Sequence, residues 1–139
     1  SLKGTQLFSQ SHEAEAKLKK SLEKLQQRNQ TLENKLQELQ NAKEEIIEKE
    51  MMASLGNLVS GIARLQNRRF LNAYQDFEAY DTRLPGNPEI LFLKGYAREG
   101  AQRPKEAAPH YIDYLKVVQQ GPQAQHAYQR LVQWGYVRP

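Results

Sequence analysis

Between about His12 and Glu50, large apolar residues return at alternating steps of four and three: Leu18, Leu22, Leu25, Leu32, Leu36, Leu39 and Ile46, with Asn29 and Lys43 filling the gaps. Glu, Lys and Gln dominate the positions between them, and no Pro or Gly interrupts the run, a composition suited to a long solvated helix. The spacing is a heptad repeat with Leu22, Asn29, Leu36 and Lys43 at a, and Leu18, Leu25, Leu32, Leu39 and Ile46 at d. Such a seam is narrow and needs a second helix to cover it. Leucine at d with one asparagine in mid-seam favours a parallel two-stranded coil, because two Asn29 side chains hydrogen-bond only in register; a trimer is the alternative. Arg28 at g faces Glu33 at the next e of a parallel partner, a rim pair worth at most a fraction of a kcal/mol. The charged residues Lys43 and Glu50 at a loosen the far end. The competing arrangement folds the same leucines back on the C-terminal part of the chain.

Past Ile46 the apolar set moves to Ile47, Met51, Leu55, Leu58, Ile62 and Leu65, rotating the stripe without a proline to break the backbone, as a stutter does. One helix running on from the coil is expected, bending at Ser54–Gly56 if anywhere. Asn67–Arg69 then reads as a turn, and Phe70–Leu84 as a helix with Phe70, Ala73, Tyr74, Phe77 and Tyr80 near one face. Asn87 is a candidate N-cap, with Pro88 at the first helical position and Glu89 on the positive end of the dipole. The following run Ile90, Leu91, Phe92, Leu93 and Tyr96 is too continuous for a surface helix. After a turn at Gly100–Arg103, Pro104 opens a helix whose inner stripe is Ala107, Ala108, Tyr111, Ile112, Tyr114, Leu115 and Val118, with Pro109 expected near its first turn. A last helix, Pro122–Trp134, buries Ala124, Ala127, Tyr128, Leu131 and Trp134 and keeps a Gln-rich outer face. Residues 1–11 carry Gly4 and small polar side chains and read as a loose lead-in.

Composition adds limits. Aromatic residues gather after Phe70, so the first third of the 139 residues is not expected to form a globule. There is no cysteine, hence no disulfide framework and no thiolate chemistry. The formal charge of +4 comes from interspersed signs, which favours a solvated mixed surface over a nucleic-acid stripe. No apolar run approaches the ~20 residues of a membrane span. The chain starts with Ser and carries no signal-peptide profile, so it reads as a soluble piece of something longer, and whether a signal or anchor lay upstream is left open by the residues.

Laying 54–87 over 88–121 brings Gly61 onto Gly95, Ala73 onto Ala107, Phe77 onto Tyr111 and Tyr80 onto Tyr114, each about 34 residues apart. A small residue on one helix and a small-then-large pattern on the next let two helices cross closely. These residues resemble the tetratricopeptide repeat family over roughly Ser54 to Gly135. The family's small residue of its first helix matches Gly61 and Gly95, its alanine matches Ala73 and Ala107, and its aromatic matches Phe77 and Tyr111. Its terminal proline matches Pro85 but meets Gln119 in the second unit, and its first-helix aromatic is replaced by Arg64 and Arg98. The organisation expected is all-α: a lead-in (1–11), a self-associating coiled coil (12–50), and a domain (51–139) of two hairpin repeats, about 54–87 and 88–121, closed by a capping helix, 122–134.

Catalytic chemistry finds little support. His12, His110 and His126 share no metal-ligand spacing, there is no phosphate loop or serine elbow, and Asp76, Glu78, Asp81, Glu106 and Asp113 sit in helix-surface contexts. No catalytic, metal or cofactor residue is assigned. Arg68, Arg69, Arg83, Arg98, Arg103 and Lys105 cluster near helix ends, where they suit the dipole; nucleic-acid binding is the less favoured reading. In clamp-type repeat proteins Lys and Asn hold a peptide carboxylate, whereas the matching places here are Leu58, Ile62 and Phe92. With Tyr96 these suggest an apolar groove for a hydrophobic peptide or helix of an unidentified partner. The expected function is a non-enzymatic interaction module or scaffold. The alternative is an accessory C-terminal domain of a larger enzyme, such as a membrane-linked zinc peptidase, some of which carry these repeats. The layout is also similar to bacterial envelope adaptors that join a trimeric coil to tetratricopeptide repeats. That similarity implies a periplasmic or envelope address; the residues themselves leave the compartment open.

Overall fold

The computed structural model describes residues 2–139 and is all-helical: among the described residues there are five helices and no strand. They are α1 (Leu2–Gln66), α2 (Phe70–Arg83), α3 (Pro88–Gly100), α4 (Pro104–Val117) and α5 (Pro122–Gln133). No helix among the described residues is long and apolar enough to cross a membrane. The chain divides into two compact units, Ser1–Ile47 and Glu48–Pro139, a boundary slightly ahead of the one the sequence suggests.

The first unit is helix throughout its described residues. The loose lead-in expected over 1–11 is not observed, since α1 already runs from Leu2. One glycine, Gly4, costs about 1 kcal/mol relative to alanine, which is too little to stop a helix once it propagates without proline. The seam side chains Leu18, Leu22, Leu25, Leu32, Leu36, Leu39 and Ile46 are all exposed, from 51% at Leu22 to 67% at Leu39.

In the second unit α1 continues without interruption through Ser54–Gly56. Ser54 is fully buried, and its hydroxyl donates to the Glu50 carbonyl at 2.8 Å, so its polar atom is satisfied within the helix. Asn87 caps α3 by accepting from the Glu89 N–H at 3.0 Å, with Pro88 at the first position. Pro109 stands in the second turn of α4 rather than the first. The amide it lacks would have served the carbonyl of Lys105, an exposed residue that water can reach.

Helix α3 packs against both α2 and α4, and α5 packs against α4. Two apolar clusters result. Ala73, Phe77, Ile90 and Ala97 form one, flanked by Leu58, Leu65, Tyr74, Tyr80 and Leu93. The other is built from Phe92, Ala108, Tyr111, Tyr114, Ala124, Ala127 and Leu131, with Trp134 and Val137 against it. The glycines explain how close the helices come. A Cβ on Gly61 would stand 2.5 Å from the Phe77 ring, and one on Gly95 would stand 2.6 Å from the Tyr111 ring. The residue one repeat further on is Gln129, exposed on α5, so no helix can approach there as closely.

Helices α1, α3 and α5 end in one shared pattern. Arg68 and Arg69 donate to Leu65 and Arg64; Gln102 and Arg103 donate to Glu99 and Arg98; Gly135 and Tyr136 donate to Val132 and Leu131. These are Schellman closures, whose first donor needs a left-handed backbone. It has φ of 60° at Arg68, 60° at Gln102 and 83° at Gly135. Only the third position carries the residue that adopts this region freely. Arg68→Gly and Gln102→Gly are each expected to stabilise the second unit by about 0.5–1 kcal/mol, read as a raised urea midpoint at constant slope.

Candidate protein-interaction site

The four groove residues separate into two kinds. Leu58 packs against the Phe77 cluster and Phe92, only 7% exposed, belongs to the Tyr111 cluster, so both serve the interior. Ile62 and Tyr96 are exposed. Tyr96 stacks on Phe92, with ring centroids 5.8 Å apart, and also lies 5.6 Å from the His126 ring, giving it a fixed aromatic bed. Of the packing residues, Ala73, Phe77, Ala107 and Tyr111 are fully buried, and Gly61 and Gly95 lie under the two rings.

Three polar constellations surround these residues, and all run through α3. Lys94 is 5% exposed, yet its ammonium reaches Asp81 at 2.8 Å and Glu78 at 3.0 Å, both on α2. Burial opposes its charge, but the hydrogen bonds to Asp81 and Glu78 outweigh it and hold the Lys94 pKa above the usual lysine value. The Lys94 hydrogen bond in turn draws the Glu78 carboxyl below its ordinary range.

One turn on, the Arg98 guanidinium lies 3.7 Å from the centre of the Tyr74 ring and forms an ion pair with Glu106. Tyr74 Oη is 3.4 Å from His110 Nε2. Burial first, then the positive charges of Lys94 and Arg98, depress the His110 pKa below its ordinary 6.5.

The third constellation centres on Glu99, which accepts from the Tyr111 hydroxyl at 2.8 Å and lies 2.9 Å from His126 Nε2 and 3.4 Å from Arg130 Nε. It ties α3 to α4 and α5. Burial, reinforced by Glu99, pushes the Tyr111 pKa far above the usual phenol value. A parallel bond links Gln123 Nε2 to Glu89 at 3.0 Å.

Sequence reading does not single out Lys94 or Glu99. The first hides in an apolar run and the second acquires its partners from distant segments. The acidic residues it does name prove paired: Asp76 with Arg64 at 2.7 Å, Glu106 with Arg98 and Arg103, and Asp113 with Lys116. Among the described residues no three His, Cys, Asp or Glu side chains converge as a metal-binding set.

His110 supplies a pH handle. Its folded-state pKa is depressed, so between that value and the unfolded one the unfolded chain binds more protons. The second unit is expected to lose stability as pH falls below about 6.5. Urea midpoints at pH 7.5 and 5 should differ less for His110→Gln, which cannot titrate, than for the native chain.

No family model, curated protein or solved structure matches this chain. The likeness to the tetratricopeptide repeat therefore rests on residues and spacing.

Proposed function

We propose that this chain is a non-enzymatic protein-binding scaffold that self-associates through a parallel coiled coil in α1 and engages a partner protein with tetratricopeptide-like hairpins. The observation that carries the reading is the exposed leucine row of the first unit: an apolar heptad seam that the single chain leaves open to water. Burying one leucine yields roughly 1.5–3 kcal/mol, so the seven apolar seam residues Leu18, Leu22, Leu25, Leu32, Leu36, Leu39 and Ile46 drive association even after its entropic cost. Asn29 selects the in-register parallel dimer. Partner binding is assigned to the two exposed groove residues, Ile62 and Tyr96, of which Tyr96 is held on the Phe92 and His126 rings. Pairing two chains doubles the sites, and avidity then raises the overall affinity without new contacts.

Sedimentation equilibrium tests the self-association. The native chain should fit a reversible dimer, and the double variant Leu25→Glu, Leu32→Glu should sediment as a monomer with the second unit still folded. A native chain that stays monomeric at every concentration would sink the reading, and a trimeric mass would replace the dimer.

A further inference from the structure

The starts of α2 and α4 and the end of α3 meet at one end of the second unit. The Phe70 ring lies over Gly100 and leaves no room there for a Cβ. Arg98 completes the junction, stacking on Tyr74 at 3.7 Å from the ring centre and pairing with Glu106. The turns that precede α2 and α4 are thereby neighbours, and both carry positive charge. Arg64, Arg68, Arg69, Arg98, Arg103 and Lys105 stand here against two carboxylates, Asp76 and Glu106, an excess equal to the formal +4 of the whole chain. Glu99, close by in sequence, is turned to His126 and Arg130. Signs that are interspersed along the sequence are thus segregated in space. Asp76 is taken by Arg64, and Glu106 by Arg98 and Arg103. Arg68, Arg69 and Lys105 are exposed and form no ion pair among the described residues.

The fold does not ask for these cations. Each turn sets the negative end of one helix dipole beside the positive end of the next, so the two fields largely cancel there. Lys105 lies within the first turn of α4, on the positive end. Arg69 and Arg103 are the N-caps of α2 and α4, and neither side chain makes a capping hydrogen bond. Serine in either place would accept one, and at position 103 it would complete a capping box with Glu106. A sequence that breaks a local rule without a gain in stability does so at functional sites.

The charge calls for a polyanion, and its surroundings suit a protein one. Adjacent guanidinium forks hold carboxylates in pairs. Leu71, 41% exposed in the first turn of α2, sets an apolar contact beside them. A nucleic acid is served less well: its binders neutralise roughly 6–10 phosphates and offer open aromatic faces, whereas the Phe70 ring is spent on Gly100. We infer that Arg68, Arg69, Arg103 and Lys105 dock an acidic segment of a partner protein in which carboxylates flank an apolar residue. This site is separate from Ile62 and Tyr96 and does not depend on the coil.

A short fluorescein-labelled peptide of repeating Glu-Glu-Leu-Glu, titrated with the full chain and followed by anisotropy, tests the site. The native chain should bind it, more weakly as salt rises. The double variant Arg68→Gly, Arg69→Ser and the single variant Arg103→Ser should each bind about tenfold or more weakly. Both should keep or raise the urea midpoint, because each replacement suits its backbone position better, so lost binding is not lost folding. Arg83→Gln, Lys116→Gln removes equal charge from the last turns of α2 and α4 and should stay within about twofold of the native affinity. The Leu25→Glu, Leu32→Glu chain should bind as the native one does, so failure of the coil leaves this result standing. No binding by the native chain at ~1 mM, undiminished binding by the arginine variants, or an equal loss in the control pair overturns the site. A labelled single-stranded oligonucleotide held more tightly than the peptide by the same arginines would also overturn it, in favour of nucleic acid.

Discussion

Replacing Gly95 with valine is expected to cost the second unit about 3 kcal/mol or more. The position is mid-helix, where removing a glycine ordinarily gains up to ~1 kcal/mol of backbone free energy. Here the first added carbon would meet the Tyr111 ring at 2.6 Å. Tyr111 cannot step aside cheaply: it is fully buried, and its hydroxyl is committed to Glu99 at 2.8 Å. Overpacking of this kind costs about 1–3 kcal/mol, and losing the buried hydrogen bond adds about 1–3 more, so the clash outweighs the propensity gain. Gly56→Ala is the matched control. A Cβ there meets nothing within 4 Å, so the propensity gain stands alone and a stabilisation of up to ~1 kcal/mol is expected. Urea unfolding followed by fluorescence of Trp134, the one tryptophan, reads both. A Gly95→Val midpoint equal to the native one would contradict the close crossing of α3 and α4.

Lys94→Ala is expected to cost about 2–3 kcal/mol and Lys94→Met less than about 1 kcal/mol. Alanine opens a void beside the core and strands Asp81, which is only 27% exposed, without its cation. Methionine refills the volume, and replacing a buried ion pair by a hydrophobic side chain of similar size is often close to neutral. Glu78, at 53% exposure, returns to water readily and contributes little to either figure. The pH dependence follows from the directions of the shifts. Glu78 is depressed below 4.5, so its contribution is present above that value and disappears as pH falls through the folded pKa. Lys94 is raised above 10.5, so its contribution is present below that value and disappears as pH climbs through the folded one. The stability difference between native and Lys94→Ala chains should be widest between those limits and narrow outside them. A difference independent of pH would show that packing, not charge, is what Lys94 supplies.

Helix positions in the second unit were legible because the punctuation is local: Asn87 with Pro88, Pro104, and Gly121 with Pro122 each mark a start that a neighbouring residue determines. Gly61 and Gly95 were legible because their aromatic covers recur at the same separation. The left-handed turns at Arg68 and Gln102 were not, since neither residue advertises a positive φ and only the helix-closing hydrogen bonds impose it. Lys94 escaped because a lysine is ordinarily read as solvated, and its acids lie a helix away. The same distance hid Glu99, whose partners come from α4 and α5. The groove was half legible: apolarity marked Leu58, Ile62, Phe92 and Tyr96 alike, but hydropathy does not say which apolar residues of a helix between two neighbours remain at the surface.

The tethers on α3 give the second unit a hierarchy of opening. Lys94 fastens the helix on one side and Glu99 on the other, so releasing either neighbour strands a buried charge on α3. The amides of α3 are accordingly expected to exchange with solvent only when the whole unit comes apart.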